Sequence, residues 1–275
     1  MKAKLVVIGA AGRMGRRILA LAKESDRFNI VGAIETPGHP DIAKDAGLVA
    51  GIGPLNINLT AEFPPSLPGR KPAPAQAGVA IDFSQPEAAD KTLDYCTDNR
   101  VALVLGTTGL SNQQREKMKA ASQKTPIIYA TNMSVGMNVL FYLVGKVAVM
   151  LGEEYDIEII EQHHRFKKDA PSGSALTLAE NICKATGRDF PDALTHGRSG
   201  KDALRAKGTI GMHAIRAGDI TGEHSVIFGT LGETVTLSHS AHSRDTFARG
   251  ALRAAEWLIG KKPALYSMAD VLGMT

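Results

Sequence analysis

Leu5-Val6-Val7-Ile8-Gly9-Ala10-Ala11-Gly12-Arg13-Met14-Gly15 is the stretch that decides the fold. Four apolar residues in a row, closed by glycine, have the character of a buried parallel strand. Ile18, Leu19, Leu21 and Ala22 then recur at helical spacing, and Phe28-Asn29-Ile30-Val31-Gly32-Ala33-Ile34 is a second strand with Glu35 behind it. Together these parts make a βαβ unit. The glycines let the turn tighten and let a pyrophosphate reach backbone amides at the helix start. An acid at the end of the second strand can hydrogen-bond ribose hydroxyls. The spacing is G-x-x-G-x-x-G rather than G-x-G-x-x-G, and glycine turns also occur for packing alone. The complete order of parts favours dinucleotide binding. Glu35 repels a 2′-phosphate, which leans towards NADH over NADPH, although Arg13 and His39 would offset part of that repulsion.

Outward from this unit, residues 36–78 are less regular. Residues 41–46 read as a short helical turn. Five of the 13 prolines lie between Pro64 and Pro74, with Gly69, Arg70 and Lys71 among them, which marks an exposed, irregular stretch. Strand-like runs return at 79–83, 101–105 and 126–130, separated by a helix opened by Pro86 and another capped by Ser111 with Gln114 three residues on. This alternation implies a parallel sheet with right-handed crossovers. Ligands of such sheets sit beyond the carboxyl ends of the strands. Gly106-Thr107-Thr108 and Ala130-Thr131-Asn132-Met133 occupy two of those ends and become candidates for the nicotinamide half of a dinucleotide. Residues 135–151 are apolar, but Gly136, Asn138, Gly145 and Lys146 interrupt them. They read as a buried helix, because a membrane span needs about 20 apolar residues.

The character then changes. Asp156-Ile157-Glu158-Ile159-Ile160 is a strand, and residues 175–185 have a helical pattern stopped by Gly187. Between them lies Glu161-Gln162-His163-His164-Arg165-Phe166-Lys167-Lys168-Asp169-Ala170-Pro171-Ser172-Gly173-Ser174. Imidazole changes charge near neutral pH and suits proton transfer. The cations attract carboxylates or phosphates, and a helix start favours anions. This loop therefore reads as a site that protonates something while gripping an anion; the plainer alternative is a solvated basic loop with a capped helix. Residues 188–207 look like a polar surface excursion. Runs at 209–216, 224–229 and 234–239, parted by Gly218-Asp219 and Leu231-Gly232, read as an antiparallel sheet. A helix with Phe247, Ala248, Ala251, Leu252, Ala255, Leu258 and Ile259 on one stripe closes the chain, and His239 and His242 before it read as structural. The expected architecture is α/β: a Rossmann-type parallel-sheet domain from 1–133 plus 244–275, with an inserted mixed α+β domain from 134–243.

Composition narrows the function. The chain has 275 residues, 44% hydrophobic and 22% charged, with a net charge of +4 from 32 basic and 28 acidic residues spread along it. That balance suits a small anionic ligand rather than nucleic acid, which calls for a concentrated basic face. Two cysteines, Cys96 and Cys183, give neither a disulfide framework nor a zinc pattern. Met1-Lys2-Ala3-Lys4 runs into a strand without a signal-peptide pattern, so the cytoplasm is the expected compartment and no membrane is implied. His163 and His164 are adjacent and point to opposite sides of an extended chain, and no HxH or HExxH spacing occurs, so no metal is expected. There is no G-x-S-x-G elbow to make Ser172 or Ser174 a nucleophile. Acid–base chemistry beside a nicotinamide remains. Reducing C=N or C=C requires a proton on the neighbouring atom, which His or Lys can supply. Rival readings are an amino-acid dehydrogenase of similar build, such as an aspartate or homoserine dehydrogenase, and a non-catalytic dinucleotide sensor.

Several motifs together resemble one family. They are Val-Ile-Gly-Ala-Ala-Gly-Arg-Met-Gly at 7–15, Gly-Thr-Thr-Gly at 106–109, Asn-Met-Ser-Val-Gly-Met-Asn at 132–138, the run 161–175, and Arg-Ala-Gly-Asp-Ile-Thr-Gly-Glu-His at 216–224. Over nearly the whole chain they are similar to dihydrodipicolinate reductase, also called 4-hydroxy-tetrahydrodipicolinate reductase. The resemblance implies an oxidoreductase of diaminopimelate and lysine synthesis that uses NADH or NADPH on a small cyclic dicarboxylate. It implies His163 as proton donor or acceptor and Lys167 as the second proton donor. His164, Gly173 and Ser174 would contact substrate. Gly9, Ala10, Ala11, Gly12, Arg13, Met14, Glu35, Gly106, Thr107, Thr108, Ala130, Thr131, Asn132 and Met133 would contact the cofactor. It also implies a homotetramer joined through the second domain's sheet. The chain departs from the family pattern at Thr36, where members that use NADPH well often carry arginine, at Ser174 in place of threonine, and at Met133 in place of phenylalanine.

Overall fold

The computed structural model describes residues 2–64 and 78–274. The proline-rich stretch read as irregular lies, apart from Pro64, outside the described residues. Two compact units divide the chain, one from Met1–Val135 with Arg244–Thr275, the other Gly136–Ser243.

In the first unit, β1 (Ala3–Ile8), α1 (Arg13–Ser25) and β2 (Phe28–Ile34) form the βαβ element read from the opening residues. Next come α2 (Ala46–Val49), β3 (Leu59–Thr60), β4 (Val79–Asp82), a 3₁₀ turn (Pro86–Ala88) running into α3 (Ala89–Asn99), β5 (Ala102–Leu105), α4 (Asn112–Ser122) and β6 (Ile127–Tyr129). The turn expected at 41–46 forms over its first residues, where the Ile42 amide donates to the His39 carbonyl and the Lys44 amide to that of Asp41; α2 follows it, capped by Asp45, which accepts from the amides of Gly47 and Leu48. Ser111 and Gln114 form the reciprocal capping box on α4. Helix α5 (Val135–Leu151) carries the chain into the second unit. Among the described residues no helix is long and apolar enough to cross a membrane.

The second unit contains β7 (Asp156–His163), α6 (Gly173–Thr186), β8 (Leu194–His196), β9 (Ile210–Arg216), β10 (Glu223–Thr230) and β11 (Glu233–Ser240). The chain then returns to the first unit as α7 (Asp245–Leu258), β12 (Leu265–Tyr266) and α8 (Met268–Leu272).

Among the described residues the first sheet is wholly parallel, in the order β12-β6-β5-β4-β1-β2-β3. Its strands are continuous apolar runs because helices cover both faces. Leu5, Val7, Ile81 and Val104 pack with α1 and α7 on one side, and Val6, Ile8, Leu103 and Leu105 with α3 and α4 on the other. Two glycines are required here by close approach. A Cβ on Gly15 of α1 would lie 2.1 Å from the Gly9 carbonyl oxygen, and one on Gly250 of α7 would lie 1.7 Å from that of Met133. Gly15→Ala should therefore cost roughly 1–3 kcal/mol or more through overpacking, read as a lower urea midpoint.

The second sheet has the order β11-β10-β7-β9-β8. The expectation of three antiparallel runs needs correction. β10 pairs antiparallel with β11 and with β7, but β9 pairs parallel with β7 and does not neighbour β10. Residues 217–222 are no tight hairpin. They cross the end of β7, where the Ala217 amide donates to the His163 carbonyl and the Arg165 amide to that of Gly218. The excursion at 188–207 also contains β8, parallel to β9. One face of the sheet packs Ile157, Ile159, Met212, Val226 and Phe228 against α5 and α6.

Candidate active site

In the first unit the candidate nucleotide residues gather at the carboxyl ends of β1, β2, β5 and β6. Gly9 has φ of +72°, and a Cβ there would lie 2.8 Å from the Phe83 carbonyl oxygen, so the turn needs glycine. Gly12 caps α1 without a side-chain hydrogen bond, and no acid occupies the helix's first turn. That leaves a helix start suited to a pyrophosphate. Glu35 is fixed beside it: one carboxylate oxygen accepts from the Ala11 amide at 2.9 Å and the other from the Thr36 amide at 2.9 Å. Arg13 is exposed, Met14 half-buried and Ala10 buried.

At the next strand ends, buried Asp82 accepts from the Thr107 hydroxyl at 3.0 Å and from the Ser84 amide at 2.8 Å. Among the described residues its other oxygen has no hydrogen-bond partner. A Cβ on Gly106 would lie 2.5 Å from the Phe83 ring, so Gly106 lets that ring sit against the turn. Thr108 and Thr131 are exposed. Asn132 accepts from the Ser134 amide at 2.8 Å. Met133 stands apart from this set, because its side chain is buried in the unit's apolar core. A glycine cradle with a tethered acid at its rim fits a nicotinamide dinucleotide. Gly9, Ala10, Ala11, Gly12 and Glu35 would hold its adenosine and pyrophosphate half.

In the second unit, sheet register assembles a polar cluster at the end of β7. Successive strand residues alternate faces, so Ile157, Ile159, Glu161 and His163 share one face. On the flanking strands Arg216 stands opposite His163, and His224 opposite Glu161. Glu161 is fully buried. It lies 2.6 Å from His163 Nδ1 and accepts from both terminal nitrogens of Arg216, at 2.7 and 2.8 Å, and from the Ser172 amide at 3.0 Å. Burial alone would raise this carboxyl, but the bonds from His163, Arg216 and the Ser172 amide outweigh it and hold it down at about 2. His224 is buried, with Nε2 3.2 Å from the Ser172 hydroxyl and its ring edge-on to His163 at 5.3 Å. Burial, with His163 beside it, pushes His224 down to about 3, so it stays neutral.

The other candidates of this loop surround the cluster. Ser172 caps α6, its hydroxyl accepting from the Ala175 amide at 3.2 Å, so Gly173 and Ser174 form the helix start. Lys167 is partly buried and donates to Asp169 at 2.9 Å. The His164 ring lies 6.3 Å from that of Phe166, which is itself exposed. His239 stands opposite His224 across β10 and β11. Among the described residues no group of three His, Cys, Asp or Glu side chains is arranged to hold a metal.

Three members of the cluster carried no role in the sequence reading: Glu161, Arg216 and His224. For Glu161 a signal existed, since a carboxylate continuing the alternation of Ile157 and Ile159 sits where a core residue belongs. Arg216 and His224 reach the site only through long-range register.

Comparisons with known proteins give the family. The family described as "Dihydrodipicolinate reductase, N-terminus" matches residues 3–133, and "Dihydrodipicolinate reductase, C-terminus" matches residues 136–272. The chain belongs to the dihydrodipicolinate reductase family. A 4-hydroxy-tetrahydrodipicolinate reductase of Citrifermentans bemidjiense is 43% identical over 98% of this chain and 99% of its own. One of Anaeromyxobacter dehalogenans is 45% identical over 98% of each. A solved structure, the dipicolinate-bound dihydrodipicolinate reductase of Paenisporosarcina sp. TG-14, has the same fold, with a TM-score of 0.71, 20% identity, and coverage of 98% of this chain and 99% of that one. Like these dihydrodipicolinate reductases the chain is an oxidoreductase, and its first unit is a Rossmann-type nucleotide-binding fold.

Proposed function

We propose that the protein reduces 4-hydroxy-tetrahydrodipicolinate to tetrahydrodipicolinate with release of water, in diaminopimelate and lysine synthesis. The observation that carries this reading is the loop 161–174, where an imidazole held by a buried carboxylate, a partly buried ammonium and a helix start are built on one strand end. A bound NADH or NADPH supplies a hydride. His163 supplies or accepts a proton, and Lys167 is the second proton donor. His164 and the start of α6 at Gly173 and Ser174 hold the carboxylates of a small ring. Ser172 sets that helix start by capping it and by donating its amide to Glu161.

Glu35 supports the finer preference for NADH. Its carboxylate, tethered to the turn by the Ala11 amide and also bonded by the Thr36 amide, would repel a 2′-phosphate placed beside it. Thr36→Arg should move the ratio of kcat/KM towards NADPH by about tenfold, the equivalent of about 1.4 kcal/mol. A homotetramer joined through the β7–β11 sheet and a cytoplasmic location complete the proposal; light scattering on the full chain tests the first.

The activity is tested by following NADH oxidation with the ring substrate, aspartate semialdehyde, and oxaloacetate with ammonia in separate reactions. Oxidation with the ring substrate alone is expected. Turnover with either of the others and none with the ring would favour an amino-acid dehydrogenase.

A further inference from the structure

Glu161 takes no proton in the reaction just described, yet it is the best-satisfied buried charge of the second unit. Burying a carboxylate costs several kcal/mol unless its lone pairs are filled. Here His163, both terminal nitrogens of Arg216 and the Ser172 amide fill them. Arg216 is anchored in turn, donating to the Asp169 carbonyl at 2.6 Å. One carboxylate therefore ties together the imidazole, the far strand and both ends of the turn 169–172.

The contact with His163 has a consequence for its protonation. At neutral pH an ionised carboxylate only accepts hydrogen bonds. An oxygen 2.6 Å from a ring nitrogen then requires a proton on that nitrogen. Nδ1 carries it in both the neutral and the charged ring, which leaves Nε2 as the atom that can gain or lose one. The surroundings of Nε2 suit that role. A Cβ on Gly222 would lie 3.1 Å from Nε2 and 3.5 Å from Cδ2. Glycine keeps that edge of the ring uncrowded. The adjacent imidazole, His224, stays neutral and adds no competing charge.

We infer that Glu161 is a positioning residue that holds His163 in the Nδ1–H tautomer, making Nε2 its proton-exchanging atom. Through the Ser172 amide and Arg216 the same carboxylate keeps the start of α6 in register with that atom. The inference rests on the proposed acid role of His163 and specifies which atom performs it.

Ring ¹⁵N–¹H correlation spectra of the uniformly labelled full chain, with His163 assigned from His163→Gln, test it. The expected wild-type pattern is protonated Nδ1 and bare Nε2 in the neutral ring. Glu161→Gln should lose that single pattern and lower kcat at least tenfold with nucleotide affinity unchanged. Glu161→Asp, which keeps the charge, should restore part of both. A wild-type Nε2–H tautomer would overturn the inference, and this measurement stands even if Glu161→Gln fails to fold. So would a Glu161→Gln chain with the wild-type tautomer and kcat. Unimpaired turnover of His163→Ala beside an Nδ1–H wild-type ring would strike the acid role instead, so the two failures are told apart.

Discussion

His163→Ala and Lys167→Ala are each expected to lower kcat by about 10²-fold or more, with nucleotide affinity unchanged. The first removes the proposed proton donor, set on the end of β7. The second removes an ammonium held by Asp169 at the edge of the same loop. Both residues belong to the second unit, whereas the glycine turn and Glu35 belong to the first, so the nucleotide dissociation constant serves as an internal control. His163→Ala also removes one donor from buried Glu161. His163→Gln, whose amide can still donate to that carboxylate, separates the chemical loss from the structural one. Initial rates of NADH oxidation beside fluorescence titration of NADH check both variants. Wild-type rates in His163→Gln and Lys167→Ala would remove these residues from the chemistry. A non-catalytic sensor would bind nucleotide in every variant and turn over in none.

Arg216→Met should destabilise the chain by about 3 kcal/mol, since removing one partner of a buried pair strands the other. Two of the bonds to Glu161 vanish, as does the one that ties β9 to Asp169. The loss should depend on pH in a definite sense. The Glu161 carboxyl is depressed from 4.5 to about 2 in the folded chain. Its contribution to stability is therefore present above pH 4.5 and disappears as the pH falls towards about 2. Without Arg216 the folded carboxyl titrates higher, and the acid limb of the stability profile moves up in pH. Glu158, held by Arg198, Arg205 and His213 and likewise depressed to about 2, keeps its own share of that limb in the variant. Urea midpoints by far-UV circular dichroism from pH 2 to 7 provide the measurement. An unchanged midpoint at pH 7 and an unmoved acid limb would mean that Arg216 does not support Glu161.

Local signals in the sequence carried most of the first unit. β2 ends at Ile34, as its apolar run and Glu35 suggest, and Ser111 with Gln114 forms the capping box that their spacing implies. The strands β3 and β12 are two residues each and carry no periodicity, so only their neighbours in the sheet define them. In the second unit the limits were set by pairing. β7 reads as a strand to Ile160, where its apolar character stops, yet it continues to His163 because β9 and β10 flank both of its edges. The apolar runs of β9 and β10 resemble a hairpin, and nothing local says that β7 lies between them. The candidate site follows the same division. The imidazoles, Lys167 and the Ser-Gly-Ser helix start stand together in sequence and are legible there. Arg216 and His224 enter the site by register across strands distant in the chain, a property no window of sequence contains.

In the proposed reaction a ring receives hydride from a nicotinamide while side chains of the loop 161–174 supply its protons. It is tested most directly by the mass of the product formed from 4-hydroxy-tetrahydrodipicolinate with NADH deuterated at the transferring face of its nicotinamide C4, in ordinary water. The expected product is tetrahydrodipicolinate carrying a single deuterium, formed at the rate at which the nucleotide is oxidised. Ring recovered without deuterium, with the NADH still reduced, would contradict it.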